Sequence, residues 1–128
     1  MFWFGTIYSM QEKDNKVWGT THCLFDGAST QVYYLEAKKG GYSSRHHHLT
    51  KYNKFFVVSG SLKIIVFRER ELTPEETILV EGQSMDVPPL LDHKFEALED
   101  TRAIEVYWGD QLQKEDIVRK DEGGCFLL

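Results

Sequence analysis

The feature that most narrows what this chain can fold into is its punctuation. Short apolar runs are each closed by Gly, Pro, Asp or a charged pair, and no long helical period lies between them. Runs rich in Val, Ile, Tyr and Phe recur over residues 1–9, 16–25, 30–37, 43–48, 54–58, 61–68, 77–80, 84–87, 93–97 and 102–108. Roughly ten short strands separated by turn signals is the pattern of an all-β sandwich or barrel. The charged stretch over residues 68–76 reads as a solvated hairpin tip. Residues 111–121 (QLQKEDIVRKD) alone lack strand character and read as a short helical turn or a charged tail.

At 128 residues, with no linker, repeat or low-complexity tract, a single domain spanning 1–128 is expected, large enough to bury a core without disulfides. A formal net charge of -5, from 15 basic and 20 acidic residues, gives no reason to expect nucleic acid or an anionic membrane surface as partner. The two cysteines, Cys23 and Cys125, are far apart and lack ligand spacing, which suits free thiols in a reducing compartment. The apolar start MFWFGTIYSMQEKD lacks the basic flank of a signal peptide, and no run approaches the roughly 20 apolar residues of a membrane span. A cytoplasmic protein is the expectation.

Chemistry concentrates in residues 40–60, GGYSSRHHHLTKYNKFFVVSG, and 82–97, GQSMDVPPLLDHKFEA. His46 and His48 sit two apart in an extended run, so both imidazoles share one face of a strand and His47 takes the other. His93 follows Pro88 and Pro89 into a second strand. Three imidazoles converging inside a small barrel make a ligand set for a divalent transition metal. Such ligands must be neutral, so metal affinity is expected to fall as pH drops through about 6.5. Asn53 has two readings, a neutral carbonyl ligand or a turn cap. His22 reads as a surface or core-edge residue. Lys51, Glu96 and Tyr107, with Asp86 and Glu105 beside them, are candidates for moving a proton, though none has geometry behind it. Arg45, Lys51, Lys54 and Arg119 are candidates for holding a phosphate.

The spacing of these residues resembles a known pair of motifs. Gly40, His46, His48, Asn53 and Gly60 in the first, and Gly82, Pro88, His93 and Ala97 in the second, are similar to the paired signature of the cupin superfamily. Trp18-Gly19, the run HHHLTKYNKFFVVSG and the segment GDQLQKEDIVRKDEGG resemble the C-terminal cupin domain of type II mannose-6-phosphate isomerases over nearly the whole chain. The resemblance implies a double-stranded β-helix, or jelly-roll barrel, holding one metal ion (Zn, Fe, Ni or Mn). It implies a small-molecule ligand such as a sugar phosphate, and a homodimer whose contact would include Phe2, Trp3 and Phe4. The chain also departs from the pattern. His46 stands where the isomerases carry glutamine, Asn53 where they carry the ligand glutamate, Lys51 in place of arginine, and Leu90 in place of a glycine. With no protein anion in the set, the dication would keep its charge for water or an anionic ligand. Sugar-phosphate isomerase, non-catalytic binding module and three-histidine iron oxygenase are the functions the resemblance leaves, in that order.

Overall fold

The computed structural model describes residues 5–7, 14–110 and 116–126, which contain thirteen strands and no helix. In chain order these are β1 Asp14–Lys16, β2 Gly19–Asp26, β3 Thr30–Ala37, β4 Gly41–Tyr42, β5 His46–His48, β6 Tyr52–Ser59 and β7 Ser61–Phe67. They continue as β8 Glu75–Val80, β9 Ser84–Val87, β10 Asp92–Ala97, β11 Thr101–Trp108, β12 Ile117–Arg119 and β13 Gly124–Cys125. One sheet runs β1-β2-β3-β11-β6-β9. In the other, β7 pairs with β8 on one side and β10 on the other, while β4 and β5 share the far edge of β10 and pair outward with β13 and β12. Every pairing is antiparallel.

Three sequence expectations change. The strand over 16–25 is interrupted at Val17-Trp18, and Gly19 shows why. A Cβ there would lie 1.9 Å from the Glu36 carbonyl oxygen, at a φ of +156°. A side chain is excluded, so the chain can turn tightly and lay Trp18 over the core. The run 43–48 keeps only β5, and residues 43–45 between β4 and β5 form no strand, because Ser43 and Ser44 turn their polar groups to side-chain and cross-strand bonds. The Ser43 hydroxyl accepts the Phe95 N–H at 3.0 Å. In the third case, residues 117–119 are a strand rather than a helical turn or loose tail, paired with β5 from Ile117↔His48 to Arg119↔His46. An open strand edge leaves N–H and C=O groups without partners, and β12 supplies them. The expected first strand over 1–9 and the aromatic residues 2–4 lie outside the described residues, except that 5–7 form no strand. Residues 111–115 also lie outside them.

The interior is graded from end to end. Gln31, Tyr33, Leu35 and Ala37 alternate inward along β3, opposite Tyr107, Glu105, Ala103 and Thr101 of β11. Asn53, Phe55 and Val57 of β6 continue the same rows on the other side of β11. Across the sheets, Trp18 and Phe55 both meet Phe95 edge-on, with ring centroids 4.9 Å and 6.1 Å apart. The apolar end, including Phe55, Val57, Leu62 and Ile64, is almost fully closed to solvent. Each such side chain contributes about 1.5–3 kcal/mol by leaving water. The other end of the same interior is polar, and the histidines lie there.

Candidate metal centre

β5 and β10 bring the three histidines together. His46 lies directly opposite His93 in the register of these strands, and directly opposite antiparallel residues share a face. His48 lies one repeat along β5 on that face. The ring centroids are 4.5 Å apart for His46–His93, 5.2 Å for His46–His48 and 5.8 Å for His48–His93. One ring nitrogen from each lies within 4.8 Å of the other two, and all three residues are buried. Metal–nitrogen bonds of about 2.1 Å need these atoms roughly 3–3.5 Å apart, so the three rings would draw together around an ion.

The tautomers suit a cation. Nδ1 of His46 lies 2.7 Å from the Ser44 carbonyl, and Nδ1 of His93 lies 2.8 Å from the Leu91 carbonyl. A carbonyl can only accept, so in each neutral ring Nδ1 carries the hydrogen and Nε2 keeps its lone pair. Nε2 of His93 and both ring nitrogens of His48 are buried without a hydrogen-bond partner among the described residues, as is Asn53 Oδ1. Unpartnered buried polar atoms are costly unless something binds them. Burial holds the rings neutral. It lowers the His46 pKa to about 4, helped by neighbouring His93. It lowers that of His48 to about 2, helped by His46 and Lys51, and it also lowers His93.

The facing wall comes from the six-stranded sheet and the turn before β6. Asn53 is completely buried within β6, which rules out the turn-cap reading, and its Nδ2 donates to Glu105 Oε2 at 3.1 Å. Tyr107 donates its hydroxyl to the same oxygen at 2.6 Å, and its ring lies 5.1 Å from that of His48. Burial raises the Glu105 pKa against the hydrogen bonds from Tyr107 and Asn53. Burial, then the Glu105 charge, raise Tyr107 well above its usual 10, so its hydroxyl is a donor and not a base. Lys51 is buried with its ammonium 4.2 Å from the Tyr107 ring centre and 3.5 Å from Gln31 Oε1, and burial lowers its pKa. Asp116 fastens this turn: it accepts the Thr50 N–H at 2.9 Å, the Thr50 hydroxyl at 3.0 Å and the Lys51 N–H at 3.2 Å.

Other candidates fall elsewhere. Glu96 alternates away from His93 and Phe95 along β10 and pairs with Lys63 at 3.2 Å on the outer face. Asp86 is exposed and pairs with Lys54 at 2.8 Å, so neither carboxylate reaches the histidines. Of the four cations offered for a phosphate, Lys54 and Arg45 also face outward. Arg45 Nε lies 2.9 Å from Asp92, which in turn takes His47 Nδ1 at 2.8 Å and Lys120 Nζ at 2.7 Å. Burial opposes the charge on Asp92, yet these donors hold its pKa down at about 2. Arg119 is exposed but opposite His46 in register, hence on the histidine side of the sheet. His22 is buried against Tyr34 on the outer side of the first sheet, remote from the site by strand alternation. Gln31 and Asp116 join the site although the two motifs do not reach them. For Gln31 the alternation with Leu35 and Ala37 is a usable signal, whereas Asp116 offers none.

No protein-family model and no curated protein matches the sequence. Solved structures do match its shape. The capsular polysaccharide assembling protein CapF from Staphylococcus aureus superposes with a TM-score of 0.73 at 23% identity, over 88% of this chain and 32% of its own. Oxalate decarboxylase from Bacillus subtilis superposes with a TM-score of 0.73 at 16% identity, over 91% of this chain and 33% of its own. The chain thus spans about a third of the length of each. With two antiparallel sheets and no helix among the described residues, and with these cupin proteins as structural neighbours, the chain has the cupin-type jelly-roll fold.

Proposed function

We propose that the chain is a metal-binding cupin in which His46, His48 and His93 hold one divalent cation, Zn, Fe, Ni or Mn, beside a pocket for a small oxygen-rich anion. One observation carries the reading: three buried imidazoles offer ring nitrogens within 4.8 Å of one another. Two of these rings commit Nδ1 to backbone carbonyls. The description of Mn(II) centres in a structural neighbour, the Bacillus subtilis oxalate decarboxylase, agrees with such chemistry. Charge balance argues for the anion. Three neutral imidazoles leave a dication uncompensated, Lys51 adds a buried ammonium on the facing wall, and Arg119 stands at the rim on the same side. Glu105 opposes them from the interior rows, and the buried Asp116, with Oδ2 3.9 Å from His48 Nδ1, does so from beside the turn before β6.

The finer reading is aldose–ketose isomerisation of a sugar phosphate. A bound metal would supply an electrophile that polarises a carbonyl. Glu105, accepting from Tyr107 and Asn53, is the interior carboxylate able to take a proton, and Lys51 can hold a developing oxyanion. A specific observation favours the non-catalytic alternative, namely that Asn53 occupies the position the resemblance reserves for a glutamate ligand. A homodimer and a cytoplasmic location complete the proposal. The dimer fits the row of exposed Phe25, Tyr52, Phe56 and Val58 on the outer side of the first sheet.

The deciding experiment is elemental analysis of protein purified without a histidine tag, followed by a mannose-6-phosphate isomerisation assay. Near-stoichiometric metal in the wild type, lost in His93→Ala with the β-rich spectrum retained, supports the metal reading; failure to bind any of the four metals after reconstitution overturns it. Turnover supports the isomerase. Metal with ligand affinity but no turnover moves the protein to the binding class, and oxygen consumption by an iron form moves it to the oxygenases.

A further inference from the structure

We infer that Glu105 is a positioning residue for the metal centre: its carboxylate turns the Asn53 amide so that the carbonyl oxygen, rather than the NH2, faces the three imidazoles. The inference rests on the metal reading above and assigns a residue that motif spacing does not reach. Asn53 is completely buried, with Nδ2 given to Glu105 Oε2 at 3.1 Å and Oδ1 left without a hydrogen-bond partner. Half a turn about the last torsion of an asparagine exchanges its oxygen and nitrogen, so the neighbours decide which end points where. Here the neighbour is a carboxylate oxygen that already receives the Tyr107 hydroxyl at 2.6 Å. An oxygen collecting two donors takes the NH2 and repels the carbonyl. Asn53 Oδ1 is thereby left to the other side.

Register places that side toward the histidines. Asn53 lies opposite Tyr107, whose ring is 5.1 Å from that of His48. Phe55, the next inward residue of β6, has its ring 6.2 Å from that of His93. The carboxylate missing from position 53 is therefore present one strand away, acting on a metal through an amide rather than directly. A neutral amide oxygen is a weaker ligand than a carboxylate but a competent one for a hard or borderline cation.

Metal titration of the wild type followed by NMR tests this without relying on turnover. On adding Zn2+, the ring nitrogens of His46, His48 and His93 should shift together with the Asn53 Cγ resonance, while the Asn53 NH2 protons stay hydrogen-bonded. Histidine shifts with an unmoved Asn53 Cγ overturn this inference and leave the metal reading standing; absent histidine shifts overturn both. A mutant cycle adds the energetic side. Asn53→Ala and Glu105→Leu should each weaken zinc about tenfold, and the double variant should be no weaker than Asn53→Ala alone. Glu105→Gln, whose amide oxygen still accepts both donors, should keep the affinity within about threefold. Losses that multiply in the double variant would make Glu105 an independent contributor and sink the positioning role.

Discussion

At the scale of single residues, burial of the imidazoles moves their pH response away from the ordinary histidine range. The ligand form is the neutral ring, and in the folded protein His46 stays neutral down to about pH 4 and His48 lower still. Metal affinity should therefore hold between pH 8 and 5 and fall nearer pH 4, not at the 6.5 expected from unperturbed rings; competition titrations at half-unit intervals will show which. The sign for stability follows from the same shifts. The unfolded chain takes up protons at the ordinary 6.5 while the folded one does not. The metal-free protein is thus at full stability above that pH. It should lose about 1.4 kcal/mol per pH unit for each such histidine below it, measurable as a falling urea midpoint from pH 7 to 5. Asn53 invites a second test. Asn53→Glu alone would set a carboxylate against Glu105 Oε2, which Asn53 Nδ2 now approaches to 3.1 Å, and should destabilise the metal-free protein. Paired with Glu105→Gln, the new carboxylate can ligate without that repulsion and should tighten metal binding at least tenfold, about 1.4 kcal/mol. Isothermal titration of both variants decides it.

At the scale of elements, the connection from β9 to β10 carries a visible compromise. Leu90 has a φ of +68° and its N–H donates to the His48 carbonyl at 2.7 Å, so a strained turn fastens the second hairpin to the ligand strand. Its side chain is exposed and contributes little packing. A left-handed conformation costs a residue with a Cβ about 1–2 kcal/mol, partly offset by the extra freedom a glycine would have in the unfolded chain. Leu90→Gly should accordingly stabilise the protein by about 0.5–1 kcal/mol in urea unfolding, with metal affinity unchanged. A loss of stability would mean that the Leu90 side chain packs usefully after all. Gly60 is the contrasting case. At a φ of +92° a Cβ there would come within 2.5 Å of the Asp100 carbonyl oxygen, so the β6–β7 turn requires glycine both for its backbone angle and for space.

At the scale of the whole molecule, the centre joins the two sheets across the polar end of the barrel, where apolar packing is thinnest. Ligands from β5 and β10 face a wall from β6 and β11, so a bound metal should stiffen the contact between layers as well as fill a site. A cation at a hundred times its dissociation constant adds about 2.7 kcal/mol to unfolding, a rise in Tm of roughly 10 °C for a domain of this length. Scanning calorimetry should show that rise with zinc in the wild type and lose it in His93→Ala. A shift preserved in the variant would put the cation elsewhere.

What the chain determined by itself was periodic and local. Backbone geometry makes side chains alternate along any strand, so two histidines two apart had to share a face, and His47 had to take the other. The same rule, applied with turn residues, anticipated the strand content and the placement of most strands. Alternation from His93 turns Glu96 outward, but it could not choose between Asp86 and Glu105, because neither shares a strand with a ligand histidine. Register decided that. Glu105 reaches Asn53 across 52 residues of sequence, and Asp116 reaches Thr50 across 66, each through pairings that exist only once the sheets have assembled. β12 became a strand for a similar reason: Ile117 and Val118 favour extended backbone, but so short a run inside a charged stretch is fixed as a strand only by the open edge of β5. Motif spacing can mark where ligands lie along the chain; the charge, orientation and reach of what surrounds them come from contacts between segments distant in sequence.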